Sequence, residues 1–234
     1  MKYYYDFHIH TALSPCGDED MTPNNIVNMA LLKELDMIAI TDHNSCENVE
    51  AVMKVAQGTN LLVIPGMEIE SSEEVHMICL FPSLEAAKAM QEIVYNSLPP
   101  LKNRTDIFGK QLILNEYDDV IGENDRLLLT ATSLSVYDLV KEVERQSGVV
   151  YPAHIDRKSY SIISNLGWIP EDLGVKTIEI SRYAEFDKYI SEYSTFNLIQ
   201  SSDAHYLQDI SEREHFIELA EKSPAKVIEY LNKR

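Results

Sequence analysis

The chain has 234 residues and a mass of 26.7 kDa, enough to bury a sizeable core and near the upper range for one domain unless that domain is a barrel. Twenty Lys and Arg against 38 Asp and Glu leave a formal net charge of −18, which argues against a nonspecific grip on duplex nucleic acid or an anionic membrane. Cys16, Cys46 and Cys79 have no CxxC spacing, and neither a basic-apolar leader nor a run of about 18 apolar residues is found, so a cytoplasmic protein without a disulfide framework is expected.

Apolar segments of strand length alternate with helical stretches. The first, YYYDFHI at residues 3–9, precedes MTPNNIVNMALLKELD, where Thr22 reads as an N-cap, Pro23 opens the first turn, and Ile26, Met29 or Ala30 and Leu35 form an apolar stripe. Strands follow at 37–41 and 61–65 with a helix at 47–57 between them, then a strand at 75–81 and a helix at 84–96. Residues 99–126 break the rhythm with adjacent prolines, two glycines and mixed charge, as an insertion, a cover over a site or a plain structural connection would. A helix at 135–147, with Ser135 as N-cap and Gly148 as C-cap, leads to strands at 148–153, 175–181 and 197–201 and helices at 185–193, 211–222 and 224–232. This order predicts a single α/β domain over 1–234 on a parallel sheet, and the number of units favours closure into a barrel over an open doubly wound sheet.

The histidines cluster at the ends of these strands. In DFHIHT the period of two places Asp6, His8 and His10 on one side and Phe7 and Ile9 on the other, so two imidazoles can share one metal ion. His43 ends the second strand in TDHN; Asp42 beside it is either a ligand or an acceptor that orients a neighbouring ring. Glu68 leaves a buried strand after Pro65 and Gly66, and its two oxygens can bridge cations about 3.5–4 Å apart. Glu70 shares its parity and competes for that role. His76 lies eight residues further on, within reach through a hairpin or short turn. His154 ends GVVYPA beside Arg157, which either counters phosphoryl charge or pairs with Asp156 or a surface carboxylate. Asp203 and His205 repeat the i, i+2 relation in SSDAH. His215, in SEREHFIEL, reads as a helix residue outside the cluster.

HIHT at 8–11, TDHN at 41–44, PGMEI around Glu68, VYPAHID around His154 and SSDAH at 201–205 together resemble, in this order, the PHP family, named for its polymerase-associated and histidinol-phosphatase members. The resemblance implies a distorted TIM-like (β/α)7 barrel and a phosphoesterase site of two or three divalent ions, with zinc, manganese or iron preferred and magnesium a further candidate. It implies that His8, His10, Glu68 and Asp203 hold one ion, that Glu68 bridges to a second held with His76 and His154, and that His43 and His205 contribute to a third. The chain departs from the family after HIHTALS, where PCGDEDMTP offers Cys16, Asp18 or Asp20 for the Asp or His that completes the third site. Cysteine favours softer zinc, whereas aspartate suits manganese, iron or magnesium.

The function expected on these grounds is hydrolysis of a small phosphomonoester by a metal-activated water, with Glu68, Asp203 and His205 at the reacting centre and Arg157 clamping the phosphate. The expected partner is a small phosphorylated substrate, with no stable binding of duplex nucleic acid and no membrane association. The alternatives are a phosphodiesterase or nuclease acting on nucleotides or short oligonucleotides, an amide or lactone hydrolase, and a metal-stabilised domain that binds a phosphorylated ligand without cleaving it.

Overall fold

A computed structural model describes residues 1–233. β1 (Lys2–Ile9), β2 (Met37–Ile40) and β3 (Leu62–Glu70) run parallel, linked by α1 (Pro23–Leu32) and α2 (Val49–Val55). Helix α1 begins as its sequence predicts, with the Thr22 side chain accepting from Asn25 N and Pro23 in the first turn. β4 (His76–Leu80) pairs antiparallel with β3, Glu70 opposite His76. The parallel-sheet expectation fails at this strand because residues 71–75 are too few for a crossover, which needs about a dozen.

After α3 (Leu84–Ser97), residues 99–126 form a short helix, α4 (Thr105–Phe108), and a two-stranded hairpin, β5 (Leu112–Leu114) and β6 (Val120–Glu123). The hairpin is tied to the loop after β1, since Leu112 N donates to Ala12 O and Asn48 Nδ2 bonds both Thr11 Oγ1 and Leu112 O. α5 (Val136–Arg145) opens on a Ser135–Asp138 capping box and delivers β7 (Val149–Pro152), which pairs antiparallel with β4. Ser147, not Gly148, takes the left-handed turn at the end of α5. Gly148 is needed for close approach instead, since a Cβ there would lie 2.7 Å from Leu80 O.

α6 (Ile162–Leu166), β8 (Thr177–Ser181), α7 (Phe186–Glu192) and β9 (Asn197–Ser201) complete the wall, with β8 and β9 parallel. Two junctions curl these seven strands round: Ile155 N donates to Glu179 O at the β7 side, and His10 N and Ala204 N exchange bonds with Ala204 O and His8 O at the β1 side. The architecture is an α/β fold with a curled mixed sheet, a distorted barrel of the expected type.

Two apolar layers follow from strand alternation. Tyr5, Phe7, Met37, Ala39, Ile64, Ile78, Leu80, Tyr151 and Ile199 pack together inside, while Ile9, Ile38, Ile40, Met67, Ile69, Cys79 and Ile178 pack outward with the helices. The C-terminal α8 (Pro224–Asn232) adds Val227, Ile228 and Leu231 to the inner layer. The helix expected at 211–222 is instead a loop and β10 (Phe216–Glu218), which pairs antiparallel with the start of β1.

Candidate metal centre

The strict alternation expected along β1 does not hold. Asp6 pairs with Ile38 but Ile9 pairs with Ile40, so the register shifts by one residue between them, as at a β-bulge. Tyr5 and Phe7 therefore point inward, and beyond the shift so do His8 and His10, while Ile9 faces the helices. Asp6 leaves the histidine face and accepts from Ser202 N and Ser211 N. Glu68 on β3, His76 on β4 and Glu179 on β8 reach the same interior, joined by His43, His154, Asp203 and His205 from the loops after β2, β7 and β9.

Donor atoms of four residues converge between β1, β3 and the loop after β9. His8 Nε2 lies 3.3 Å from Glu68 Oε1 and 3.2 Å from Asp203 Oδ1; His10 Nε2 lies 3.1 Å from Asp203 Oδ1 and 3.5 Å from Glu68 Oε2. Beside them Glu68 Oε1 is 2.9 Å from His76 Nδ1 and 3.3 Å from His154 Nε2. Glu68 Oε2 turns towards His43 Nδ1 at 3.0 Å. The rings of His10 and His205 lie 4.2 Å apart and those of His10 and His43 4.5 Å apart. Glu70, the competitor to Glu68, takes no place in this cluster; its N–H donates to Asn44 Oδ1.

Outer partners fix which ring nitrogens face inward. His8 Nδ1 donates to Glu179 Oε1 at 2.8 Å. Ser14 Oγ donates to Asp42 Oδ1 and so accepts from His10 Nδ1 at 2.9 Å. In the neutral rings both Nε2 atoms thereby carry the lone pair, aimed at the carboxylates and 3.1 Å from each other. Asp42, which also accepts from Thr11 N and Thr11 Oγ1, acts as an orienting acceptor. Glu179 and Ser14 were not foreseen as functional; the only sequence signal for Glu179 is a lone carboxylate between two isoleucines on a buried strand.

Arg157 pairs with Asp203 Oδ2 through Nη1 at 2.6 Å, while Asp156, its nearest alternative, holds Ser181 N and Oγ. Cys16 Sγ lies 3.1 Å from His205 Nε2. Asp18 and Asp20 remain outside: Asp18 Oδ1 accepts from Asp20 N, and Asp20 is exposed. His215 lies in the loop before β10, not on a helix; its ring stacks on Phe186 and its carbonyl accepts from Tyr5 N.

The electrostatics are those of imidazoles and carboxylates packed together away from water. Burial opposes a charged His8, but Glu179, Asp203 and Glu68 outweigh it and raise its pKa well above the ordinary histidine value. His43 is raised likewise, against burial, by Cys16 and Glu68. His10 goes the other way, lowered by burial and by His205 and His43. Burial would raise Glu68, yet His76, His8 and His43 hold it well below the carboxylate range. Burial would also raise the Cys16 thiol, but His43 and His205 bring it down to about 6. Glu179 Oε2 and His154 Nδ1 are buried without a hydrogen-bond partner, and Glu68 Oε2 has the His43 ring beside it. Converging lone pairs, unsatisfied buried acceptors and mixed imidazole and carboxylate donors fit divalent metal ions. Three such donor groups are present among the described residues: His8, His10 and Asp203; His43, Glu68 and His76; and His10, His43 and His205.

Backbone strain gathers at the same place. Asn44, His154, Tyr160 and Asp203 all have positive φ, at 52°, 29°, 54° and 52°. Such conformations cost roughly 1–3 kcal/mol each and persist where the surroundings enforce them.

The sequence matches the PHP domain family over residues 6–222. It is 25% identical over 149 residues to an uncharacterized protein of Methanocaldococcus jannaschii, a match to 64% of this chain and 16% of that protein. The fold resembles that of the lesion-specific endonuclease Q of Pyrococcus furiosus, with a TM-score of 0.74 and 17% identity over 99% of this chain and 56% of that one. An endonuclease Q complex with a 27-mer duplex carrying an abasic lesion at its active site has a TM-score of 0.73 at 16% identity, with the same coverage. An amidohydrolase from Chromobacterium violaceum with bound sulfate has a TM-score of 0.61 and 16% identity over 92% of this chain and 91% of that one. This chain thus spans 16% of the archaeal relative and 56% of the endonuclease Q chain.

The expectation that net charge excludes stable duplex binding is corrected by the endonuclease Q complex, in which the same fold carries duplex DNA. Net charge averages over the whole surface, whereas binding depends on the local field of a cleft. Donor groups for metal ions at the barrel-strand ends and the match over nearly the whole chain lead to one assignment: this chain belongs to the PHP domain family.

Proposed function

We propose that the chain hydrolyses a phosphodiester bond of a nucleotide or nucleic-acid strand. His8, His10, Glu68 and Asp203 would hold one ion, and Glu68 would bridge to a second held with His76 and His154. Ions bound there supply Lewis acidity, lowering the pKa of an attacking water and neutralising charge on the phosphoryl oxygens. Glu179 and Ser14 keep the His8 and His10 Nε2 atoms aimed inward, and Arg157, paired with Asp203, would take a nonbridging phosphate oxygen.

The observation that carries the diester reading is Tyr160. The residue is 48% exposed, its ring stacks on His76 with centroids 4.8 Å apart, and its carbonyl accepts from His76 N. A bulky residue in the left-handed region is strained, and here the strain holds an open aromatic face beside the centre. That is what a nucleobase next to the scissile phosphate can stack on, and a small phosphomonoester without a base has no use for it. The likeness to the endonuclease Q fold supports the same choice.

The test is a panel of dinucleotide and oligonucleotide diesters, each paired with its monoester, assayed with zinc, manganese, iron and magnesium. The expected outcome is two organic products from the diesters without inorganic phosphate. Phosphate release from monoesters alone would contradict the reading, and no turnover with any metal at verified occupancy would end it.

A further inference from the structure

We propose that Tyr206 is a second base platform, at the far side of the metal centre from Tyr160, so that the protein holds a nucleotide on each side of the phosphate it binds. This rests on the proposed function and deepens it: the substrate is a linkage between two nucleosides, not a diester of one nucleoside and a small alcohol.

A row of imidazoles defines the two sides. Tyr160 stacks on His76, the His76 ring lies 5.2 Å from that of His43, and His43 lies 6.1 Å from His205. Tyr206 follows His205 directly and, like Tyr160, is 48% exposed. An open tyrosine therefore stands at each end of the row. The arginine assigned to phosphate joins the two ends, because Arg157 reaches from the loop that carries Tyr160 to Asp203 in the loop that carries Tyr206.

The backbone around Tyr206 is fixed although its ring is open. On one side Asp18 N donates to His205 O at 2.9 Å, and on the other Tyr206 O accepts from Asp209 N at 2.9 Å. Arg182, from the loop after β8, clamps Asp209 in turn, donating to its carbonyl at 3.1 Å and pairing with its Oδ1 at 2.9 Å. A ring held on a fixed loop loses little freedom on binding. Each base stacked on such a face strengthens binding whatever its identity, so two faces favour a dinucleoside unit over a single nucleoside without selecting its sequence.

Calorimetric titration of the metal-loaded chain with dithymidine phosphorothioate, which has one phosphate and a base on either side, tests this without turnover. Two counterparts, each lacking one base, should both bind about 5- to 150-fold more weakly. Tyr206→Ala should weaken binding of the intact probe by a similar factor and add no further loss when one particular base is missing. Tyr160→Ala should behave in the same way towards the other base. Tyr206→Phe keeps the ring and should restore affinity, and metal content with the thermal midpoint of each variant separates a lost platform from a damaged fold. Equal affinity for the unaltered chain and a well-folded Tyr206→Ala, or dependence on one base alone, would overturn the proposal. The functional reading fails separately: two-sided binding with no cleavage of the natural diester leaves the platform standing, and cleavage with one-sided binding does the reverse.

Discussion

At the scale of single residues, the centre depends as much on what holds the donors as on the donors. Glu179 fixes the His8 ring through one 2.8 Å bond, so Glu179→Gln should lower metal affinity by about 10–100-fold, measured by competition with a chromophoric chelator; unchanged affinity would remove Glu179 from the account. Arg157 is argued to bind phosphate, and losing a charged hydrogen bond worth roughly 1.5–3 kcal/mol should reduce kcat/KM in Arg157→Ala by about 10–150-fold while bound metal stays constant. Protonation provides a further check. Because His8 and His43 hold protons above the ordinary histidine range, metal must displace them, so binding near neutral pH should release protons and tighten as pH rises. Calorimetry in two buffers of different ionisation enthalpy measures this, and a buffer-independent heat would contradict it.

The donors themselves were legible in the sequence, because an imidazole or carboxylate at the end of an apolar strand has little packing reason to be there. Glu179 and Ser14 were not, since an acid on a strand and a serine in a loop are ordinary until the fold brings His8 and His10 against them. The choice among Cys16, Asp18 and Asp20 was open for a related reason: loop geometry, not spacing, decides which of three nearby donors turns towards His205.

At the scale of elements, the expected strands and helices match where hydrophobic period and caps agree, as in α1 and α5. They fail where a short segment satisfies both periods. Residues 211–222 contain charged and apolar residues at helical spacing, yet Phe216, Ile217 and Glu218 alternate exposed, buried, exposed along the edge of β1. The register shift in β1 was equally hidden, because DFHIHT alternates well in isolation and only pairing with β2 shows that Asp6 leaves the face. Close packing gives the prediction at this scale. Gly66 sits in β3 between β2 and β4, and a Cβ there would lie 2.8 Å from Leu80 Cδ2, 3.0 Å from Cys79 O and 3.1 Å from Ile40 O. Gly66→Ala should therefore cost about 1–3 kcal/mol in chemical denaturation, and a wild-type midpoint would mean that the strands part more easily than their packing implies.

At the scale of the whole molecule, the barrel gathers strand ends from across the sequence into one interior, so residues as distant as His8 and Asp203 meet within 3.2 Å. The family order of motifs announced that convergence, whereas composition misled about partners. A charge of −18 describes the exterior and says little about a buried centre whose carboxylates face imidazoles and would face bound cations. The most direct measurement follows one sample of the purified chain through chelation and reloading, with metal content and cleavage of a defined oligonucleotide recorded together, alongside Glu68→Gln. The account predicts that cleavage disappears with the metal, returns in proportion to the ions regained, and stays at least about 100-fold lower in Glu68→Gln. Cleavage that survives complete metal removal, or that Glu68→Gln leaves intact, would contradict it.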